Sequence, residues 1–206
     1  MAETSADSVI RTYRRYAPLY DRLFGAILEP GRRSLAQLAH RISPPNLLEV
    51  GVGTGLLLPS YPETTAIVGI DLSQEMLMIA QNRAEKLQGR NIKLLKMDAE
   101  TIDFPDNSFD CVTLPYVLSV TPRPQQLVAE VRRVCKKGGT ILILNHFSGS
   151  RFWWFLERIV RPLADRVGFR SDFGYKEQIE TYSWIVVSVQ NVNLMGLSKL
   201  IEIRND

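Results

Sequence analysis

Three carboxylates accompany apolar runs: Glu49 lies within Leu47-Leu48-Glu49-Val50, which leads into the glycine turn Gly51-Val52-Gly53-Thr54-Gly55, and Asp71 and Asp98 each follow a later run. Glycines let a backbone come close to a ligand, and carboxylates accept hydrogen bonds from hydroxyls, amines and cations. Asp71 stands 20 positions past Gly51, which suits an adenosine-bearing ligand held at the end of a parallel strand. In that arrangement Asp71 accepts both ribose hydroxyls, Asp98 accepts from an adenine amino group, and Glu49 adds a negative charge.

The glycine spacing narrows the ligand. A dinucleotide site wants G-x-G-x-x-G and a helix N-terminus aimed at a pyrophosphate. Here Gly55 comes one position early and is followed by Leu56, Leu57 and Leu58, so a pyrophosphate is less well served. A nicotinamide oxidoreductase is therefore disfavoured, and a cofactor with a ribose and a zwitterionic tail fits better. A glycine-rich turn alone is also an ordinary strand-to-helix connection; its coupling to Asp71 and Asp98 is what favours the cofactor.

These residues must be positioned by a sheet. Strands are expected near Asn46 to Gly51, Ala66 to Asp71, Ile92 to Lys96, Phe109 to Pro115 and Thr140 to Asn145. Amphipathic helices are expected near Gln74 to Leu87, with Ser73 as N-cap, and near Pro124 to Lys136, stopped by Gly138-Gly139. The alternation predicts an α/β, doubly wound, mostly parallel sheet. Two late segments, Tyr182 to Val189 and Lys199 to Arg204, read as an antiparallel pair closing one edge. Pro115 and Tyr116, at the exit of the fourth strand, are expected to face the reacting end of the cofactor.

The 206 residues fit one domain, with 45% hydrophobic and 23% charged residues. A net charge of +3 is well short of a dedicated nucleic-acid binder. No run approaches the roughly 20 apolar residues of a membrane span. Met1 to Asp7 lacks a basic-then-apolar export pattern, so a cytoplasmic location is expected. Cys111, in a strand, and Cys135, at a helix end, read as reduced core residues without metal-ligand spacing.

As a set, the glycine turn, Glu49, Asp71 and Asp98, with the passage from Leu127 to Thr140, resemble the class I S-adenosylmethionine-dependent methyltransferases over roughly Leu47 to Leu144. The resemblance implies a Rossmann-like sheet of seven strands with an antiparallel edge strand, and S-adenosyl-L-methionine as cofactor. It also implies a cofactor-binding set of Tyr20, Glu49, Gly51, Gly53, Gly55, Asp71, Leu72, Met76, Asp98, Ala99 and Pro115.

The acceptor must be specified outside that core. An N-terminal helix, about residues 5–22, groups Val9, Ile10, Tyr13, Tyr16 and Ala17 opposite Arg11, Arg14 and Arg15. It suits an anionic membrane surface or a lid over the cofactor, and equally a solvated face over a core stripe. An insertion, about residues 147–180, contains Phe152-Trp153-Trp154-Phe155 and five arginines against Glu157 and Asp165 between Arg151 and Arg170. Four consecutive aromatics exceed what one helix face buries in a small domain, which points to lipid or a lipid-like substrate; a helix packed over the sheet edge is the plainer reading.

With Tyr16 to Asp21 and Asn145-His146-Phe147, these segments resemble the bacterial phospholipid N-methyltransferases that convert phosphatidylethanolamine to phosphatidylcholine. The core is also similar to the quinone-biosynthesis C-methyltransferases, which leaves a prenylated quinone as an alternative acceptor. A membrane-surface binding module without catalysis is the rival outside enzymes, and the intact carboxylate set argues against it. The phospholipid resemblance implies a peripheral association with the cytoplasmic face of the membrane, a phospholipid partner and no nucleic acid.

It implies attack by a neutral amine. A primary ammonium with a Lys-like pKa near ~10.4 has no lone pair at neutral pH and must lose a proton first. The candidate acceptors are Tyr16, Tyr20, His146 and Tyr175. Tyr20 also suits closure over the cofactor, and Tyr16 and Tyr175 suit cation-π contacts worth roughly 0.5 to 2 kcal/mol. Arg158, Arg161, Arg166 and Arg170 are candidates for the lipid phosphate.

Overall fold

Alternation of apolar side chains builds the two faces of the sheet. In β1 (Asn46–Val50), Leu47 enters one apolar cluster and Leu48 and Val50 the other. In β5 (Cys135–His146), Ile141 and Ile143 take one side and Leu142 and Leu144 the opposite side. A sheet apolar on both faces must be covered on both, and the helices do this. Leu35, Leu38 and Ala39 of α1 (Glu29–Ile42) pack on one face together with Leu77 and Ala80 of α2 (Gln74–Ala84). Leu127, Val128, Val131 and Val134 of α3 (Pro124–Val134) cover the other. Each leucine or valine among them, fully buried, contributes roughly 1.5 to 3 kcal/mol.

The remaining strands are β2 (Ala66–Asp71), β3 (Ile92–Lys96), β4 (Phe109–Pro115), β6 (Ile185–Val192) and β7 (Ser198–Arg204). The computed structural model describes residues 28–146, 179, 182–193 and 196–206. It orders the seven strands β3-β2-β1-β4-β5-β7-β6. β1 to β5 are parallel, whereas β7 runs antiparallel between β5 and β6. The Rossmann-like, doubly wound sheet expected from the sequence is therefore present, with β6 outermost at the end where the antiparallel pair was expected. The order reverses between β1 and β4, and such a switch point opens a crevice at the carboxyl ends of the strands.

Ser73 caps α2 as expected, its Oγ accepting from the Met76 N–H at 3.3 Å. Between β1 and β2 the only helix is a 3₁₀ turn, Leu58–Ser60, so no α-helix N-terminus follows the glycines. This agrees with the poor fit of that turn to a pyrophosphate.

Several boundaries differ: α2 stops at Ala84 instead of Leu87, β6 spans Ile185–Val192 instead of Tyr182 to Val189, and the passage from α3 to β5 shifts most. The sequence suggests a third helix running to Lys136 and stopped by two glycines, with Cys135 at its end. In the structure α3 ends at Val134 and Cys135 opens β5, pairing with Phe109. The cause is distant in sequence: Asn205 Nδ2 donates to the carbonyls of Arg132, Cys135 and Lys136 at 3.0, 2.9 and 3.3 Å. Those acceptors at the helix end are thereby satisfied without further helical turns.

The N-terminal helix expected at about residues 5–22 lies outside the described residues, as does nearly all of the insertion at about 147–180. Ile179, near the end of that insertion, is buried in the cluster on the α3 face. No helix among the described residues is long and apolar enough to cross a membrane.

Candidate active site

The parallel strands deliver the expected residues to one edge of the sheet. Glu49 is on β1, followed by the turn carrying Gly51, Gly53 and Gly55; Asp71 ends β2; Asp98 and Ala99 follow β3; Pro115 ends β4; His146 ends β5. Leu72 and Met76 sit just past Asp71, at the start of α2. Tyr16, Tyr20, Tyr175 and the four arginine candidates lie outside the described residues.

Asp71 ties the two ends of this edge together. Its carboxylate accepts the Gly53 N–H at 2.8 Å and the Ser73 N–H at 2.9 Å. Burial raises its pKa, opposed by the backbone N–H groups of Ser73, Gly53 and Leu72. The loop after β1 is thus hydrogen-bonded to the acid at the end of β2. Asp98 is fixed more locally, its Oδ1 accepting from the Glu100 N–H at 2.9 Å.

The glycines have different tasks. A Cβ on Gly55 would lie 2.7 Å from Leu58 Cδ1 and 3.1 Å from Ala80 Cβ, so this glycine lets the turn pack against α2. A Cβ on Gly53 would meet nothing closer than the Gly51 carbonyl at 4.0 Å. Gly53 therefore borders open space, in a left-handed conformation with φ of +55°.

Glu49 is the unusual group. It is 2% exposed, and burial pushes its pKa up to about 8, opposed by the Tyr61 hydrogen bond. Its Oε2 is buried without a hydrogen-bond partner, a costly condition unless a donor arrives.

At the other end of the crevice, His146 Nδ1 lies 3.2 Å from the Leu197 carbonyl and 2.7 Å from Ser198 Oγ. A carbonyl only accepts, so a bond to Leu197 puts the hydrogen on Nδ1 and the lone pair on Nε2, whereas a bond donated by Ser198 Oγ puts the lone pair on Nδ1. Burial lowers the imidazole pKa, opposed by the Leu197 contact, and so favours the neutral ring. The ring is 4.9 Å from that of Tyr116. The Tyr116 hydroxyl turns away to Leu28 O at 3.4 Å and receives Asn193 Nδ2 at 3.0 Å. Tyr116 thus presents its ring rather than its hydroxyl to His146, a detail that its position at the exit of β4 did not reveal.

Sequence reasoning also missed Asn193 and Ser198, which join this cluster. Asn193 Nδ2 donates to Ser198 Oγ at 2.8 Å, and Asn193 Oδ1 accepts the Gly31 N–H at 2.6 Å. Glu100 is another omission. It accepts Thr121 Oγ1 at 2.6 Å and both the backbone N–H and Nε of Arg123 at 2.7 Å, fixing the loop after Asp98 against the start of α3. No signal in the sequence distinguished these residues from ordinary turn residues.

Comparison with known proteins decides the family. Residues 48–143 match the methyltransferase domain model. A phosphatidylethanolamine N-methyltransferase of Cereibacter sphaeroides is 42% identical over 170 residues, covering 81% of this chain and 82% of that protein. The chain belongs to the S-adenosylmethionine-dependent methyltransferases. A demethylmenaquinone methyltransferase of Listeria welshimeri is 27% identical, over 100% of this methyltransferase and 89% of that one. A SAM-dependent methyltransferase structure from Thermotoga maritima superposes with a TM-score of 0.69 at 22% identity, covering 95% and 99% of the two chains, which establishes the shared fold.

The cofactor of this methyltransferase is S-adenosyl-L-methionine, and the residues present fit it. An orphaned, buried carboxylate oxygen on Glu49 suits an ammonium, and the open side of Gly53 leaves room for a ligand against the backbone. Among the described residues, no cluster of histidine, cysteine and carboxylate side chains could hold a metal ion.

Proposed function

We propose that this methyltransferase acts on the head-group amine of phosphatidylethanolamine and of its mono- and dimethylated forms, giving phosphatidylcholine. The observation that carries the reading is the 42% identity to a phosphatidylethanolamine N-methyltransferase across four-fifths of the chain, against 27% over the whole chain and 33% over 65% of it for quinone methyltransferases. In this reading the protein works peripherally at the cytoplasmic face of the membrane, with residues 5–22 and the aromatic, arginine-rich insertion recruiting the lipid.

In this reading Glu49 takes the cofactor's ammonium, Asp71 its ribose hydroxyls and Asp98 its adenine amino group. Gly51, Gly53 and Gly55 shape the turn beneath it, while Leu72, Met76, Ala99, Pro115 and Tyr20 line the cofactor. S-adenosylmethionine supplies a methyl carbon made electrophilic by a sulfonium. His146 performs the proton step in the tautomer whose Nδ1 donates to Leu197, which leaves a lone pair on Nε2, and burial keeps the imidazole neutral where a lysine-like ammonium is still protonated. The amine would lose its proton toward Nε2, and its freed lone pair would take the methyl carbon as the carbon–sulfur bond breaks and its electron pair leaves with S-adenosylhomocysteine. Tyr16, Tyr20 and Tyr175 complete the acceptor side as rival proton acceptors and as aromatic walls for the cationic head group.

The test is methyl transfer from labelled S-adenosylmethionine to phosphatidylethanolamine vesicles and, separately, to demethylmenaquinone in the same lipid. Label in mono-, di- and trimethylated ethanolamine lipid is the expected result. Label only in the quinone would replace this reading with the second one.

A further inference from the structure

Glu49 is not alone on its face of the sheet. Thr113 of β4 pairs in register with Glu49 of β1, so both side chains point to the face covered by α1 and α2. Tyr61 reaches the same place from the chain just after the 3₁₀ turn, and it is 1% exposed. Three polar side chains therefore meet in a cluster whose other buried members are leucine, valine, isoleucine, alanine and Cys111.

Their hydrogen bonds have a direction. Tyr61 Oη and Thr113 Oγ1 are 3.0 Å apart, and Tyr61 is also hydrogen-bonded to the Glu49 carboxylate. When Glu49 is ionised its carboxylate only accepts, so the tyrosine hydrogen goes to Glu49 and Thr113 supplies the hydrogen to Tyr61. The competing acceptor for Thr113, the Leu48 carbonyl, is farther at 3.4 Å. The chain runs Thr113 to Tyr61 to Glu49 and ends at Oε2, the carboxylate oxygen that has no partner in the protein. Buried polar chains persist when each member is satisfied, and this one is satisfied except at the oxygen nearest its purpose.

We propose that Tyr61, itself oriented by Thr113, is a positioning residue that holds the Glu49 carboxylate so that its unpartnered oxygen meets the charged amino-acid tail of the cofactor. The proposal rests on the reading above that Glu49 takes the cofactor's ammonium. It adds the pair of side chains that orient that carboxylate, and it assigns them to the tail alone, not to the adenosine half. The charged groups around Glu49 are Asp71 on β2, which opposes its ionisation, and Arg32 on α1, which favours it. Tyr61 also favours it by donating to the ionised form.

The experiment is calorimetric binding of two probes, S-adenosylhomocysteine, which carries the tail, and adenosine, which lacks it. Both are titrated into wild type, Tyr61→Phe, Thr113→Val and Glu49→Gln between pH 6.5 and 9. A hydrogen bond to a charged group is worth enough that Tyr61→Phe weakens S-adenosylhomocysteine about tenfold, with adenosine unchanged. Its binding also shifts to higher pH, because Glu49 ionises less readily. Thr113→Val gives a smaller effect of the same kind, and Glu49→Gln the largest. Equal losses for both probes in Tyr61→Phe would mean a merely structural role and overturn the proposal. So would a Tyr61→Phe that binds like wild type while Glu49→Gln loses the tail, which leaves the Glu49 reading standing. A Glu49→Gln that binds both probes normally overturns that underlying reading and the proposal with it. Thermal melts identify a variant that fails to fold; if Tyr61→Phe is one, Thr113→Val decides by the same criteria.

Discussion

Gly53 donates its N–H to the carboxylate of Asp71 at 2.8 Å, joining the turn after β1 to the end of β2 across 18 positions of sequence. The same carboxylate accepts from Ser73 at 2.9 Å, so one side chain orders the glycine turn and the entry to α2. Asp71→Ala removes both acceptors and leaves two backbone donors unsatisfied, a loss of roughly 1 to 3 kcal/mol for each donor that stays buried. Chemical denaturation should register this as a lower midpoint, and calorimetry should register weaker binding of adenosine and S-adenosylhomocysteine alike.

Two glycines in the same turn should separate stability from binding. Gly55→Ala drives a Cβ to 2.7 Å from Leu58 and close to Ala80, at a φ of +76°. Gly53→Ala places its Cβ in open space at a φ of +55°, so its cost is mainly the left-handed backbone, about 1 to 2 kcal/mol. Thermal melts should show the larger loss for Gly55→Ala, whereas S-adenosylhomocysteine affinity should fall further for Gly53→Ala among molecules that remain folded.

The imidazole of His146 should set the acid limb of the rate profile. Burial lowers its pKa below the ordinary 6.5, so it still accepts a proton at mildly acid pH and loses that ability only as pH falls through the lowered value. His146→Ala should reduce kcat by roughly 10² to 10⁴, the usual contribution of a positioned general base, and abolish that limb. Ser198→Ala, which leaves the Leu197 carbonyl in place, should lower kcat less and move the limb instead of removing it. A pH profile of methyl transfer for the three proteins checks this.

Glu49 makes stability depend on pH without any ligand. Folded Glu49 keeps its proton up to about 8, while the unfolded chain releases it near 4.5. Between those values the native state binds more protons, so stability falls as pH rises. His146 acts in the opposite sense below 6.5, which confines the clear window to pH 6.5 to 8. The wild-type melting temperature should drop across that window, and Glu49→Gln should flatten the slope.

The parts of the site that could be read from the chain are those set by local spacing. Glu49, the glycine turn and Asp71 fall within one strand-turn-strand unit, and Ser73 as N-cap concerns only its own helix. The limits of β1 to β4 were legible because continuous apolar runs mark a sheet buried on both faces, whereas β5 begins five residues earlier than expected and β6 is shifted along the chain. Tyr61 could not be recognised, since its meaning depends on Thr113, 52 positions away on another strand. Asn193 was less visible still: it reads as a turn residue, but it accepts the Gly31 N–H from 162 positions away. The end of α3 was misjudged for the same reason, because Asn205 supplies the donors that let the helix stop early. Propensity carries no information about such partners.

A crystal structure with S-adenosylhomocysteine tests the central claim most directly. Its ammonium should lie within hydrogen-bonding distance of Glu49 Oε2, its ribose hydroxyls on Asp71 and its backbone-facing side against Gly53. Ligand bound elsewhere, or bound here with the Glu49 oxygen still unpartnered, would contradict it.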